Sequence, residues 1–339
     1  MSVAEHEDPP AAISDTERAI FGDVSAAEVH AILDHYARRH LGSGIARVCF
    51  RSGRIDAVWG VELVDGRDVV VKAHRLPADV ATIAAARDAM RLLSSVGYPC
   101  PAPLTGPDES EGRVLTAETL VEGDVPDRQD PVVRGLLADG LARHIAILRQ
   151  DPSLVGRAGP GPSWCRYQQG PWPVPHDSIV DFSSPARGYE WIDDFGRQAA
   201  DQIIAHRDAA EVVVGHADWY GGNTVVADGA LAGTFDWELV ADTEAVVAGF
   251  AAAAYAASST SSDGLSTPEQ VADFLRDYDT ARGAPLSARE RRSAAGAAAW
   301  ILAFNARWLV ALPDPEQRSD VSLVTMVEQR QQDYLAVDW

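Results

Sequence analysis

The sequence predicts an α+β fold in two lobes, an antiparallel sheet with a helix first and a mainly helical region after it. Three observations carry this. Between residues 45 and 73, short apolar runs alternate with polar residues and are separated by tight turns, which is strand periodicity. After Gly123 the apolar spacing becomes helical and remains so for most of the chain. Inside that helical region, at 211–236, stands one short apolar strand, a polar loop and a hairpin.

The first 14 residues are acidic and polar and are expected to form a disordered tail. The sheet lobe is then expected over 15–121 and the helical lobe over 122–339. Ser25-Ala-Ala-Glu28 is a capping box, so a helix is predicted from there to about Arg39, ended by Gly42 and Gly44. Strands follow at Arg47 to Phe50, Ala57 to Leu63 and Val69 to Ala73. Ser52-Gly53 and Asp65-Gly66 are the turns of a meander. A helix is predicted over 78–95. A second strand pair is expected at 102–104 and 114–120, with 109–112 turning between them. In the second lobe, helices are predicted at 132–149 and 189–207, around an irregular Pro- and Trp-rich stretch at 151–185. A strand at 211–214 leads into His216-Ala-Asp-Trp-Tyr-Gly-Gly-Asn223. A hairpin over 224–235 follows, turning at Asp228-Gly229, and Ala-rich helices are predicted at 244–259, 267–282, 287–311 and 315–335.

Composition removes several functions. A net charge of −21 with no dense basic run argues against nucleic acid, which is bound through clustered Lys and Arg. The same field would suit a cationic substrate or simply keep the protein in solution. The start lacks the basic and apolar regions of a signal peptide. The longest apolar run, 245–257, is too short to span a bilayer. Cys49, Cys100 and Cys165 are far apart in sequence and form no zinc pattern, and so sparse a count fits a cytoplasmic protein. No membrane or nucleic-acid partner is expected; the chain is expected to act as a monomer or a homodimer.

The 211–236 region holds two of the parts that phosphoryl transfer requires, a group that takes the hydroxyl proton and ligands for Mg²⁺. Asp218 lies in a loop after an apolar strand, where a carboxylate can take the proton of an acceptor hydroxyl. Asn223 offers a neutral carbonyl oxygen and Asp236 a carboxylate, both hard oxygen donors suited to Mg²⁺. A hairpin between them would bring these two residues to one end.

His216-x-Asp218-xxxx-Asn223, a hairpin, and then Phe235-Asp236-Trp237-Glu238 resembles the aminoglycoside phosphotransferase and choline kinase superfamily. The resemblance spans about residues 45 to 260 and implies a bilobal, protein-kinase-like fold. It implies a small-molecule kinase that uses ATP and Mg²⁺ and acts on a substrate hydroxyl. Asp218 would be the catalytic base, His216 the brace of its loop, and Asn223 and Asp236 the metal ligands. Lys72, on the third strand, would contact the ATP phosphates. Ser52 and Gly53 lie in what would be the nucleotide loop, and Leu115 to Gly123, with Glu118 and Leu120, would be the hinge whose backbone holds adenine. The chain departs from the pattern in four places, one being the nucleotide loop Arg51-Ser-Gly53-Arg54, which has a single glycine. Trp219-Tyr220-Gly221 replaces a Leu-His-Pro-like insert. The helix that normally supplies a Glu to the strand lysine has Asp88 as its nearest acid, about two residues late. Ala241-Asp242-Thr243 stands where Gly-Asp-Pro is usual. A catalytically silent nucleotide-binding protein on the same fold is the alternative reading.

Overall fold

The computed structural model describes residues 12–110, 112–170, 172–175, 180–207, 211–257, 265–312 and 321–339. The chain divides into two compact units, Met1–Gly123 and Asp124–Trp339.

The first unit opens with α1 (Asp15–Phe21) and α2 (Ala26–His40). Each begins in a capping box. Ser14 and Ser25 accept the N3 amides, and Glu17 and Glu28 accept the cap amides in return. Ser14 was expected in the tail and instead starts a helix; residues 1–11 of that tail lie outside the described residues. Next come β1 (Ile45–Ser52), β2 (Ala57–Leu63), β3 (Asp68–His74), α3 (Val80–Ser95), β4 (Asp108–Ser110) and β5 (Arg113–Thr119). They form one antiparallel sheet of order β1-β2-β3-β5-β4. Period-2 alternation sorts its faces. Trp59, Val61, Val69, Val71, Leu115 and Ala117 are buried together with Phe21, Val29, Leu33 and Tyr36 of α1 and α2. The opposite face carries Lys72, His74, Thr116 and Glu118.

The strand expected at 102–104 is not one. Pro103 makes an isolated bridge to Glu118, and β5 takes 108–110 as its edge partner. Pro101 and Pro103 supply no N–H to a ladder, so a regular strand cannot form there.

The second unit contains α4 (Pro131–Leu148), α5 (Ser153–Ala158), α6 (Glu190–His206), β6 (Val212–His216), β7 (Thr224–Ala227), β8 (Ala230–Thr234), β9 (Leu239–Thr243), α7 (Glu244–Ala254), α8 (Pro268–Arg282), α9 (Ala288–Ala311) and α10 (Val321–Leu335). Part of the last predicted helix, 315–320, and residues 171 and 176–179 of the irregular stretch lie outside the described residues. β9, which the sequence reading missed, pairs antiparallel with β6, setting His216 opposite Leu239. It is buried on both faces apart from Ala241, so it shows no alternation to detect.

The alanine-rich segments let helices approach closely. A side chain at Gly249 of α7 would meet the Ala294 carbonyl of α9 at 2.3 Å. α9 has the length and apolarity of a membrane span, with mean hydropathy 1.3, yet it is the buried centre of this unit's core, against α6, α7 and α10. Glu244 starts α7 inside the fold, where Arg149, Arg282 and Tyr278 bond its carboxylate. Burial alone would raise its pKa; these partners outweigh that and hold it below the usual carboxylate range.

Candidate active site

Val212–His216 is a strand because three consecutive valines and a buried position favour one, and it delivers the chain into the loop at Ala217. His216 is buried and uses both ring nitrogens. Its Nδ1 accepts the Asp218 amide at 3.1 Å, so the proton sits on Nε2, which donates to the Phe235 carbonyl at 3.1 Å. One ring thus ties the loop to the end of β8, next to Asp236. His216 is itself held from behind: its amide donates to His144 Nε2 at 3.2 Å. His144 is fully buried. Burial, then the neighbouring His216, holds its pKa well below 6.5, against a hydrogen bond with the Gly140 backbone. It is therefore a neutral acceptor.

Asp218 is half-buried. The Asn223 Nδ2 group donates both to the Asp218 carbonyl at 3.1 Å and to its Oδ2 at 2.8 Å. Two acceptors on one side fix the orientation of the Asn223 amide, with Oδ1 the atom that takes no part in these two bonds. The hairpin does what the spacing predicted. Thr224 pairs with Thr234, and the Phe235 amide donates to the Asn223 carbonyl at 3.0 Å, so Asn223 and Asp236 sit at one end. Asp236 is exposed and left-handed, with φ +60°, a conformation that Asp tolerates better than most residues.

The Trp219-Tyr220 pair separates into two functions. Trp219 is buried, donates Nε1 to the Leu137 carbonyl at 3.2 Å and packs against the His144 and His216 rings. It anchors the loop in the core. Tyr220 is half-buried, and its ring lies over Gly222, where a Cβ would meet it at 2.2 Å. Trp164, from the irregular stretch, donates Nε1 to the Ala217 carbonyl at 3.1 Å. Other aromatic and acidic residues of this stretch and of α6 bond within the protein. Trp172 donates to Asp193 at 2.7 Å, Asp194 pairs with Arg197 at 2.7 Å, and Glu190 accepts the Gly188 amide at 3.1 Å. Cys165 is buried, and burial, with Glu238, Asp218 and Asp242 adding to it, keeps it a neutral thiol.

The remaining site candidates belong to the first unit. Lys72 lies mid-β3, opposite Thr116 of β5 and Val58 of β2. Its Nζ is 3.2 Å from Glu118 Oε1. Glu118 was expected to serve through its backbone, but that backbone pairs with Val70 and bridges Pro103, and the Leu120 amide donates to the Asp68 carbonyl at 3.3 Å. Spacing gave no sign of the Glu118 side chain's engagement with Lys72. Asp88, the acid nearest the expected helix position, instead pairs on the surface with Arg91 at 2.5 Å. Ser52 ends β1, paired with Val58, and Gly53 opens the exposed β1–β2 turn. Gly53 has φ +108° and no space for a Cβ, which would lie 1.9 Å from the Asp56 carbonyl. The Thr16 hydroxyl of α1 donates to the Arg54 carbonyl of this turn at 3.1 Å.

No curated protein sequence matches this chain. Several solved structures share its fold. The amicoumacin kinase hAmiN, in complex with AMP-PNP, Ca²⁺ and Ami, superposes with a TM-score of 0.61 at 12% identity, over 92% of this chain and 96% of that one. A thermostable mutant of aminoglycoside phosphotransferase APH(4)-Ia, with ADP and hygromycin B, gives 0.54 at 12% identity, over 89% and 98%. An aminoglycoside phosphotransferase from Alicyclobacillus acidocaldarius gives 0.53 at 14%, over 88% and 94%. The fold is the α+β, protein-kinase-like one that the motifs implied. The phosphotransferase enzyme family model matches residues 48–289, which include β2, β3, the 216–223 loop and the hairpin, and the chain belongs to that family.

Proposed function

We propose that this phosphotransferase is an ATP- and Mg²⁺-dependent kinase that phosphorylates a hydroxyl group of a small molecule. The observation that carries the proposal is the loop. His216 and Asn223 hold the Asp218 backbone and carboxylate in one place, and the hairpin sets Asp236 at the end where Asn223 stands. In this reading Asp218 orients the acceptor hydroxyl and receives its proton. Asn223 Oδ1 and the Asp236 carboxylate would hold Mg²⁺; both are hard oxygens, and the fixed Asn223 amide fits that task. Bound Mg²⁺ would neutralise charge on the nucleotide phosphates. Lys72 is assigned to nucleotide phosphates, and the β1–β2 turn with Ser52 and Gly53 to the nucleotide. His216 is not a metal ligand, because both its nitrogens are used within the protein; this weighs against a metal hydrolase built on it. The silent nucleotide-binding alternative rested on a missing acid for Lys72, and Glu118 supplies one.

The acceptor class we favour is a hydroxylated natural product such as an aminoglycoside, ahead of choline-like alcohols, sugars and amino alcohols. The acidic surface would favour a cationic member, and the three free thiols suit a cytoplasmic setting. A thermal-shift screen of these compounds with ATP and Mg²⁺ identifies binders, since ligands of the native state raise its stability. Asp218→Ala is expected to abolish phosphorylation of whichever compound turns over, with an unchanged circular dichroism spectrum. Turnover that survives in this variant removes Asp218 from the role of base.

A further inference from the structure

Among the 29 Lys and Arg residues of the chain, Lys72 is the only lysine. The two cations are not equivalent. Lysine is a compact point charge with three donors, whereas arginine is a planar fork. A chain that uses arginine at every other basic position has a lysine at mid-strand on the polar face of the first sheet.

Its partner is unusual in origin. Glu118 lies on β5, two residues beyond the position paired with Lys72, on the same face, within reach of a diagonal cross-strand contact. Glu118 is buried, and its second oxygen, Oε2, is 2.6 Å from Arg87 Nη1. Arg87 comes from α3, the helix from which an acid was expected. It is buried too, and it also donates Nε and Nη2 to the Thr105 carbonyl, at 3.2 and 3.1 Å, and Nη2 to the Ala117 carbonyl. The polarity of the helix contact is therefore inverted. The helix supplies a cation, the strand supplies the acid, and Lys72 meets that acid on the far side. Burial disfavours the charge on Arg87, and Glu118 opposes this. Asp56 lies close enough for its carboxylate to feel the Lys72 charge, though its direct bonds go to His74 Nδ1 at 2.6 Å and the Arg75 amide at 2.8 Å.

We propose that Glu118 is the positioning residue for Lys72, holding its ammonium where nucleotide phosphates are bound, and that Arg87 fixes Glu118 from α3. This rests on the nucleotide reading above. Arg87 has bonds enough to lock the carboxylate with one rotamer, and the carboxylate's remaining oxygen then sets Lys72 Nζ.

The single lysine makes the test direct. An amine-acylating reagent followed by peptide mass spectrometry reads Lys72 against the terminal α-amine as internal control, with no nucleotide required. Three proteins are compared: wild type, Arg87→Met, and the double variant Arg87→Met/Glu118→Gln. The double variant removes one positive and one negative charge together, so it avoids leaving an uncompensated buried arginine; its fold is checked by thermal melting. Lys72 labelling at pH 8 is expected to rise roughly tenfold in the double variant, the equivalent of about one pKa unit, and far less in Arg87→Met. KM for ATP is expected to rise in the double variant in the same proportion, with a smaller change in kcat. ATP with Mg²⁺ is expected to protect Lys72 in the wild type and poorly in the double variant. Equal labelling and equal protection in wild type and double variant overturn the positioning role while leaving nucleotide binding standing. Absence of protection in the wild type overturns the nucleotide reading itself, and this inference with it.

Discussion

Asp218 in the second unit and Lys72 in the first are held by contacts of opposite kinds. Asp218 is fixed by the neutral amide of Asn223 and, through its backbone, the neutral ring of His216. Lys72 is fixed by a buried carboxylate that is itself fixed by a buried guanidinium. Hydrogen bonds from neutral groups set the place of Asp218, the one to its carboxylate contributing about 1.5–3 kcal/mol and the one from its backbone amide about 0.5–1.5 kcal/mol. A charge chain sets geometry more strongly, but it leaves a buried charge unpaired when one member is lost. The two units therefore differ in how they fail.

The sharpest break of this comparison is Glu118→Ala, which leaves Arg87 and Lys72 without their shared acid. It is expected to destabilise the protein by about 3–5 kcal/mol, read from chemical denaturation. A loss below about 1 kcal/mol would make the triad no more costly to break than a surface pair. His216→Asn comes next. It removes the link between the Asp218 amide and the Phe235 carbonyl and is expected to cost about 1–3 kcal/mol, with kcat falling more than the affinity for nucleotide changes. Equal loss in both would mean that His216 supports the unit generally and not the loop in particular.

A pH dependence separates the neutral device further. The fold holds the His144 pKa well below 6.5, so the unfolded chain takes up a proton near that pH that the folded chain refuses. Stability from this group is complete above pH 6.5 and declines as the pH falls below it, by up to about 1.4 kcal/mol per pH unit. His144→Gln is expected to flatten the stability profile between pH 6.5 and 5, measured by urea unfolding; an unchanged slope would assign it to other groups. The smallest effect is expected at Asp88, whose ion pair with Arg91 is exposed. Asp88→Ala should change stability by no more than about 0.5 kcal/mol and leave Lys72 labelling untouched.

Local signals in the sequence were strong where the chain punctuates itself. Ser25 with Glu28, Asp65-Gly66 and Asp228-Gly229 each marked an element boundary that the structure has. Ser14 with Glu17 carried the same capping signal, but α1 has seven residues and too few apolar positions to show a period. β9 escaped for the opposite reason, being almost wholly apolar and buried. In the candidate site, Asp218, Asn223 and Asp236 were legible because a loop and a hairpin are short-range devices. The anchoring role of Trp219 was not legible, since nothing local says which way an aromatic ring turns.

The sequence by itself determined the order of most elements, the loop that holds Asp218, and the hairpin that returns to Asn223, because capping, turn chemistry and periodicity act within a few residues. Only the tertiary structure decided what holds Lys72. Glu118 and Arg87 are 46 and 15 residues away in sequence, and they meet it because β5 pairs with β3 and α3 presents Arg87 to β5. A buried charge finds its partner through packing, and no spacing rule records it.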